Sequence, residues 1–412
     1  MVGPALRVVG AAPRQGSRER GSKLGVFQQL ANKQAATAGR GCSGGSQLAI
    51  FFIPVPVNRL FSCKRLHVLP KKVTIHDIAR ELQVNAATVS RALNDHPAIS
   101  ARTKEAVRKA ARRLHYQPNS IAASLRSGHS RILGVLIPSA EITFFGSVVH
   151  GIERVAAERG YTVLLYQTNE SEEGERKGVE TFLRSRVDGV LASIAKGTRD
   201  LAHLQDLKRR GVPLVLFDRV AADTGAPSVS IDDGAAAFLA TEHLVQQGYR
   251  RIAYIAGPQH VPIWKERLQG YRRALKKYGL PADRSLVRTG DVSIASGAAC
   301  MESLLQLPEP PDAVCCVEDY TALGALKSLR AAGIDVPRQV GVVGFANELF
   351  GQYIDPSLST IDQQTIRMGE EAARLFFELS AAASFYSAEP KRIVLEPQLI
   401  IRRSSQKKSP DQ

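Results

Sequence analysis

The sequence predicts an α/β fold class in which a small all-α helix-turn-helix headpiece precedes a two-lobed core of parallel sheets. Apolar residues follow helical spacing from Val73 to Leu114. Beyond Arg131, short apolar runs alternate with amphipathic helices, and near-continuous apolar strands separated by helices are typical of parallel sheets covered on both faces. These runs extend over about 280 residues, more than a single core usually holds, so two lobes with a cleft between them fit better.

Residues 1–71 do not resemble a folded domain. They are rich in Gly, Ala, Ser, Arg and Gln and show no sustained periodicity. We expect a disordered extension, or translated sequence upstream of the true start, with a basic nucleic-acid arm as the alternative. The chain has three methionines, Met1, Met301 and Met368, so a start near residue 70 would require a non-AUG codon.

The headpiece, residues 72–117, is predicted to contain three helices. Thr74 can cap the first helix, Asn85 the second and Ser100 the third. In the second helix Val89 and Leu93 are expected to point inward. Two short helices joined by a tight turn and braced by a third form a helix-turn-helix unit.

The surplus of positive charge lies in the first third of the chain. The formal net charge is +16, from 55 Lys and Arg against 39 Asp and Glu, but residues 132–412 carry 33 basic and 34 acidic residues. A basic N-terminal third followed by a neutral remainder indicates that the N-terminal third alone has a polyanionic partner, either nucleic acid or an anionic membrane surface.

Membrane insertion, metal binding and a bound cofactor are not expected. The most apolar run, 48–57, is interrupted by Pro54 and Pro56 and is far shorter than the roughly 20 residues needed to span a bilayer. The five cysteines include no CxxC pair and no histidine at metal-ligand spacing, which is typical of reduced thiols in a cytoplasmic protein. Cys315 and Cys316 are predicted on a buried strand, with a vicinal redox pair as the alternative.

The second helix carries the side chains suited to reading DNA. Arg91 can donate two hydrogen bonds to a guanine edge, the commonest specific base contact. Ala86 and Ala87 can offer only methyl packing, for example to a thymine methyl. The remaining candidates can reach phosphates, which set register without reading sequence: Thr74, Thr88, Ser90 and Asn94. The alternative is a surface helix on which Arg91 is merely solvated.

Residues 118–131 follow the headpiece and have the sequence PNSIAASLRSGHSR. Asn119 can cap a helix of about two turns that ends before Gly128. Such a short helix is marginal alone, and an ordinary linker would look the same.

The headpiece and the segments that follow it resemble a known protein family. The run VTIHDIARELQVNAATVSRALNDHPAISARTKEAVRKAARRLHYQPNSIAASLRSG resembles the headpiece of the lactose-repressor (LacI/GalR) family of bacterial transcription regulators. Later segments match the regulatory core of that family in the same order: LGVLIP, FFGSVVHGIE, RVDGVL, PLVLFDR, HLVQQGYRRIAYIAGP, ERLQGY, DYTALGALKSLRAAGIDVPRQVGVVGF and DPSLSTIDQQ. The resemblance covers roughly residues 72–404, and many motifs in one order make it specific.

The resemblance implies a homodimer bound to a pseudo-palindromic operator in double-stranded DNA. Ala86 and Ala87 match the two specificity positions of the family's recognition helix, and Arg91 matches its arginine. In residues 118–131, Leu125 matches a hinge-helix leucine that wedges into the minor groove, with Asn119 and Ala122 as supporting residues. Residues 132–404 would form a periplasmic-binding-protein-like pair of lobes, followed by a disordered tail at 405–412.

The resemblance also places an effector in the interlobe cleft. Arg267 and Asp218 would form a polar pair there, with Phe144 as a stacking wall; the alternative for Asp218 is a helix cap or an ion pair with Arg219. Two departures matter. Glu318 stands where the family commonly has an effector-binding asparagine. Ala346 replaces a common effector-binding aspartate, for which Asn347 or Glu348 could substitute. A sugar or sugar derivative is the expected effector class.

Three classes of function agree with the sequence to different degrees. A ligand-responsive transcription regulator, most simply a repressor acting at the nucleoid, explains both the headpiece and the cleft. A sugar-binding receptor of a transport system shares the core fold but would need a signal peptide and no headpiece. An enzyme is third, because the sequence has no phosphate-binding glycine loop, metal cluster or GxSxG. Asp232 and Asp233 resemble an acid–base pair, although the tandem more simply caps a helix near Gly234.

Overall fold

The computed structural model describes residues 73–117, 128–382, 384–386 and 389–407. The predicted hinge residues Asn119, Ala122 and Leu125 therefore lie outside the described residues. In this part of the chain, no helix combines the length and the apolar character needed to cross a membrane.

The headpiece contains the three predicted helices: α1 (Ile75–Glu81), α2 (Ala86–Leu93) and α3 (Ala101–Arg113). The side chain of Asn85 accepts a hydrogen bond from the backbone N–H of Thr88, and that of Ser100 accepts one from Thr103. Thr74 forms a reciprocal capping box with Asp77. Short polar side chains thus fix where each helix begins.

The headpiece has its own small core, built from one face of each helix. Ile78, Val89, Ala92 and Val107 are fully buried in it. Val89 is buried and Leu93 packs partly buried against this core, as expected, and Ala92 is a further fully buried residue in the last turn of α2. Ala92 lies three residues after Val89, so the two share one helix face.

The first lobe is built on a six-stranded parallel sheet, in the spatial order β11-β5-β4-β3-β1-β2. Its strands are β1 (Ile132–Ile137), β2 (Thr162–Gln167), β3 (Gly189–Ala192), β4 (Leu214–Phe217), β5 (Ser228–Ile231) and β11 (Arg392–Leu395). Its helices are α4 (Thr143–Glu158), α5 (Glu172–Ser185), α6 (Ala202–Arg209) and α11 (Thr365–Ser380). The central strands β3 and β4 are buried throughout, which explains their continuous apolar sequence.

The second lobe has a four-stranded parallel sheet in the order β7-β6-β8-β9. Its strands are β6 (Ile252–Ala256), β7 (Val287–Thr289), β8 (Ala313–Cys316) and β9 (Gly341–Val343). Its helices are α7 (Asp233–Gln246), α8 (Pro262–Lys277), α9 (Ile294–Leu305) and α10 (Asp319–Ala331). Helices α7 and α8 approach closely because Gly270 lies against the backbone oxygen of Gly234, where a side chain would clash.

The chain passes between the lobes three times. It leaves the first lobe between β5 and α7, returns between β10 (Thr360–Asp362) and α11, and leaves again between β11 and β12 (Gln398–Ile400). Strands β10 and β12 pair antiparallel, so two of these passages are joined by hydrogen bonds. These positions agree with the predicted two-lobed architecture.

The structure corrects two local predictions and confirms that Cys315 and Cys316 lie on a buried strand. Strands β5 and β7 were not predicted, because both are short and mix polar with apolar residues. The predicted tail begins too early: Ser405 is fully buried and its hydroxyl hydrogen-bonds Ser359 and His243. Cys315 and Cys316 belong to cores on opposite faces of β8, which disfavours a vicinal redox pair.

Candidate functional site

The recognition surface of the headpiece is the exposed side of α2. Arg91, in the last turn, is exposed, as are Ala87 before it and Asn94 after it. Ala86 is different, because it is partly buried and packs against the headpiece core. Of the two alanines, Ala87 is therefore the one more available for methyl contact.

The predicted phosphate-contacting residues form hydrogen bonds with their neighbours in the headpiece. The hydroxyl of Thr74 donates to Asp77 over 2.7 Å, and that of Thr88 donates to the side-chain oxygen of Asn85 over 2.8 Å. The side-chain amide of Asn94 donates to the backbone oxygen of Ser90. These bonds hold the helix ends in place, so a phosphate contact by these hydroxyls would require them to exchange partners.

A cavity of about 430 Å³ lies between the two lobes. This volume is within the usual range for small-molecule sites. The first lobe contributes Ser139, Glu141, Ile142, Glu170, Lys196 and Arg219. The second lobe contributes Trp264, Val292, Ser293, Ile294, Ala295, Glu318 and Tyr320. The walls therefore combine two aromatic rings with three carboxylates and two cationic groups.

Arg219 is the central cation of the cavity wall. It is almost fully buried and donates two hydrogen bonds to the Glu170 carboxylate, over 2.7 and 3.1 Å. Its guanidinium also lies 5.2 Å from the ring centre of Trp264, across the lobe boundary. The paired geometry fixes Arg219 between the Glu170 carboxylate and the Trp264 ring.

The predicted pairing of Arg267 with Asp218 is wrong. Arg267 is fully buried and its Nε donates to Asp233 over 2.7 Å. Its other nitrogens donate to the backbone oxygen of Val317 and to the side chain of Gln363, and its guanidinium stacks 3.5 Å above the Phe345 ring. Since Asp233 and Gln363 lie beside two of the interlobe passages, Arg267 ties those passages to the second lobe.

Three other predicted effector residues do not line the cavity. Phe144 is buried and packs edge-to-face on Phe145, so the aromatic walls are Trp264 and Tyr320 instead. Asp218 is buried beside Arg219 and accepts a hydrogen bond from Ser193. The side chain of Asn347 bonds Asp362 and Arg402, at the β10–β12 passages. Of the predicted effector residues, Glu318 alone is a lining residue.

Several carboxyl groups at the lobe boundary have raised pKa values. Burial raises the pKa of Glu318 to about 7, against the opposing effect of Arg219 and Arg267. Burial likewise raises the pKa of Asp233 to about 7 and that of Asp319 to about 6. Removing carboxylates from water disfavours their charged form, so this boundary holds acids that titrate near neutrality.

Hydrogen bonds near the cavity join residues of the first lobe to residues of the second lobe. The backbone N–H of Phe144 donates to Glu348 over 3.1 Å. The ammonium of Lys196 donates to the backbone oxygen of Asp291 over 2.9 Å, and the backbone oxygen of Lys196 contacts the His260 ring over 2.7 Å. These hydrogen bonds join the two lobes on either side of the cavity, which is partly open to solvent.

Replacing Glu318 with glutamine should change how stability depends on pH. Because the folded pKa is raised, the wild-type chain binds more protons when folded and loses stability as pH rises from about 4.5 to 7. This group alone accounts for a loss of up to about 3 kcal/mol, which Glu318→Gln should remove. Urea unfolding of both proteins at pH 5 and pH 8 measures the difference. Glu309→Gln, an exposed acid on the same lobe, is the control, and equal pH dependence of wild type and Glu318→Gln would contradict the expectation.

The lining residues that sequence reasoning missed include Glu170, Arg219, Trp264 and Tyr320. The sole tryptophan of the chain was one available signal, because Trp264 stands at the start of α8 one turn before Arg267. Arg219 was considered only as a partner of Asp218. Glu170 follows β2 at the carboxyl edge of the sheet, where ligands of parallel α/β sheets are usually bound.

Comparison with known proteins finds the same two kinds of domain. Residues 74–119 match the model described as bacterial regulatory proteins, lacI family, and residues 241–405 match a periplasmic binding protein-like domain. The repressor CytR of Escherichia coli (strain K12) is 34% identical over 81% of this chain and 96% of its own length. Catabolite control protein A of Priestia megaterium is 33% identical over 74% of this chain and 91% of its own length.

Solved structures show the same organisation. The lac repressor dimer bound to operator and an anti-inducer has a TM-score of 0.73, with 27% identity over 81% of this chain and 99% of that one. The regulator CelR in complex with cellobiose has a TM-score of 0.61, with 33% identity over 81% of this chain and 99% of that one.

The headpiece and the interlobe cavity define a DNA-binding transcriptional regulator with an effector-binding domain. Within that class, the chain belongs to the lacI family of bacterial regulatory proteins.

Proposed function

We propose that this regulator is a repressor that binds a pseudo-palindromic operator as a homodimer, and that a small molecule in the 430 Å³ cavity controls this binding. The observation that carries the proposal is the presence, in one chain, of an exposed arginine on a capped recognition helix and a cavity between two lobes. A ligand that binds one lobe arrangement better than another changes its population, and with it operator affinity.

Sugar binding by a transport receptor is the second candidate, since the two lobes alone would serve it. The headpiece favours regulation, because a transport receptor has no use for a helix that presents Arg91. The proposed site of action is accordingly the cytoplasm, at the nucleoid. The proposed effector class is a sugar or sugar derivative, in keeping with the cellobiose named in the CelR complex.

Selection from random duplexes tests the DNA-binding part of the proposal. The full chain should enrich one sequence with two related half-sites, because each protomer of a symmetric dimer reads one. Enrichment of a single undivided site would contradict dimeric binding, and enrichment of nothing above random DNA would contradict sequence-specific regulation. The hinge residues Asn119, Ala122 and Leu125 remain predicted contacts in this scheme.

The proposed dimer surface lies on the second lobe. Leu349 and Tyr353 are large apolar side chains with exposed fractions of 56% and 77%. A groove of about 860 Å³ on the same lobe includes Leu323, Leu326 and Ile354. Exposed apolar patches mark contact surfaces, and a second copy of this chain is the proposed occupant because the lac repressor relative was solved as a dimer.

Tyr353→Glu should convert the dimer to a monomer at micromolar concentration, because it places a charge in an apolar interface. Sedimentation velocity of the full chain measures this directly. Val394→Glu, at a residue 60% exposed on β11 of the first lobe, is the matched control and should leave the dimer intact. A dimer that survives Tyr353→Glu unchanged would place the interface elsewhere.

A further inference from the structure

We infer that the interlobe cavity selects a ring compound that carries an amino group, and that the Glu318 carboxylate recognises that group. This inference rests on the proposed effector role of the cavity and adds the chemistry of the effector. It starts from the balance of charges at the lobe boundary.

Acidic groups outnumber basic ones there. Besides the exposed Glu141, the carboxyl groups are those of Glu170, Asp218, Asp233, Glu318, Asp319 and Glu348. The cationic groups are the buried guanidinium groups of Arg219 and Arg267 and the Lys196 ammonium, which donates to the Asp291 backbone oxygen. Each guanidinium already has a carboxylate partner, Glu170 for Arg219 and Asp233 for Arg267. An uncompensated buried charge is costly, so the remaining acids need hydrogen-bond donors, protons or a cationic ligand.

Two of the remaining acids are satisfied by the protein. Asp319 accepts hydrogen bonds from the Thr360 hydroxyl and from the backbone N–H of Glu348, both over 2.7 Å. Asp218 accepts one from the Ser193 hydroxyl over 2.9 Å. These groups are held by neighbours and are not available to a ligand.

Glu318 and Glu348 are not fully satisfied. Glu318 lines the cavity, and none of the hydrogen bonds among the described residues involves its carboxylate. Glu348 is 2% exposed, and one of its carboxylate oxygens, Oε2, has no hydrogen-bond partner among those residues. The two carboxyl groups are close enough to raise each other's energy when both are charged. Glu318 therefore favours a donor or cation in the cavity that it lines, whereas Glu348 acts on the charge of Glu318 from outside the cavity wall.

The walls of the cavity specify the rest of the ligand. Tyr320, which is partly exposed, offers a ring face from the second lobe, while Trp264 lines the cavity as a nearly buried ring held under Arg219. An ammonium or amino group beside Glu318 gives a charge-assisted hydrogen bond, which is stronger than the bond a neutral hydroxyl would give. The ring faces also attract cationic groups. A ring compound with an amino group can therefore pack against the aromatic wall and hydrogen-bond the Glu318 carboxylate at the same time.

The environment of Glu318 agrees with this assignment. Burial raises its pKa to about 7; Arg219 and Arg267 lower it, while Glu348 and Asp218 raise it. A positively charged ligand would stabilise the carboxylate and reverse the effect of burial.

Matched pairs of compounds test the inference with the full chain at pH 7. The pairs are glucosamine with glucose and galactosamine with galactose; the members of each pair differ by an amino group in place of the hydroxyl at C2. We expect at least one amine to raise the melting temperature and to bind with a Kd at least tenfold lower than its partner. Glu318→Gln should abolish that preference, and the exposed-site control Glu309→Gln should retain it.

The possible failures are distinguishable. If neutral partners bind as well as amines, or if the preference persists in Glu318→Gln, the inference is overturned while the cavity remains an effector site. If no compound binds, the inference is also overturned, and the selection of operator DNA still decides the proposed function. Unchanged folding of Glu318→Gln is checked by its circular dichroism and its operator binding.

Discussion

Arg267→Ala should lower the free energy of unfolding by about 3–5 kcal/mol. The substitution leaves Asp233 buried with no cationic partner and leaves the Val317 carbonyl without its guanidinium donor. It also removes the stacking on Phe345 and the bond to Gln363 at the second interlobe passage. Urea unfolding at pH 8, where Asp233 is ionised, measures the full loss.

Arg272→Ala is the matched control, because Arg272 is exposed on the same helix, α8. It should change the free energy of unfolding by less than about 0.5 kcal/mol. The double variant Asp233→Asn with Arg267→Met should recover part of the stability, since it removes both charges. An Arg267→Ala protein as stable as wild type would contradict the role of this ion pair. Because Arg267 ties the interlobe passages to the second lobe, a loss of effector response in Arg267→Ala would reflect altered packing of the lobes rather than a lost ligand contact.

Arg91→Ala should weaken operator binding by about 1–3 kcal/mol and relax preference at one base pair in each half-site. The exposed guanidinium lies on the outer side of α2, whose position is fixed by the Asn85 cap and by burial of Val89 and Ala92. Fluorescence anisotropy with the selected operator and with single-base variants of it measures both effects.

Arg112→Ala is the control for simple loss of charge, since Arg112 is exposed on α3 outside the recognition helix. It removes the same charge and should leave the base preference unchanged. A loss in Arg91→Ala that is equal on operator and random DNA would show that Arg91 contacts only phosphates.

The headpiece was predictable because its signals are local. Thr74, Asn85 and Ser100 each precede a helix by one residue, and the structure places a helix start after each. Capping depends on residues three positions apart, so sequence spacing determines it. The apolar strands of both lobes were predicted for the same reason, whereas β5 and β7 lack that continuous apolar pattern.

The cavity was less predictable because its walls come from distant segments. Arg219 and Glu170 are 49 residues apart, and Arg267 and Asp233 are 34 apart. Family resemblance indicated that Arg267 matters but could not show which carboxylate it binds. The same resemblance placed Phe144 and Asn347 in the cleft, whereas the structure turns the first into the core and the second toward Asp362 and Arg402.

Anisotropy of the selected operator with the full chain, titrated with the best ligand from the thermal-shift pairs, tests the central claim most directly. If ligand in the interlobe cavity controls DNA binding, operator affinity should change by at least fivefold, which corresponds to a coupling of about 1 kcal/mol. By reciprocity, operator should change ligand affinity by the same factor. A ligand that binds the chain tightly while leaving operator affinity unchanged would contradict it.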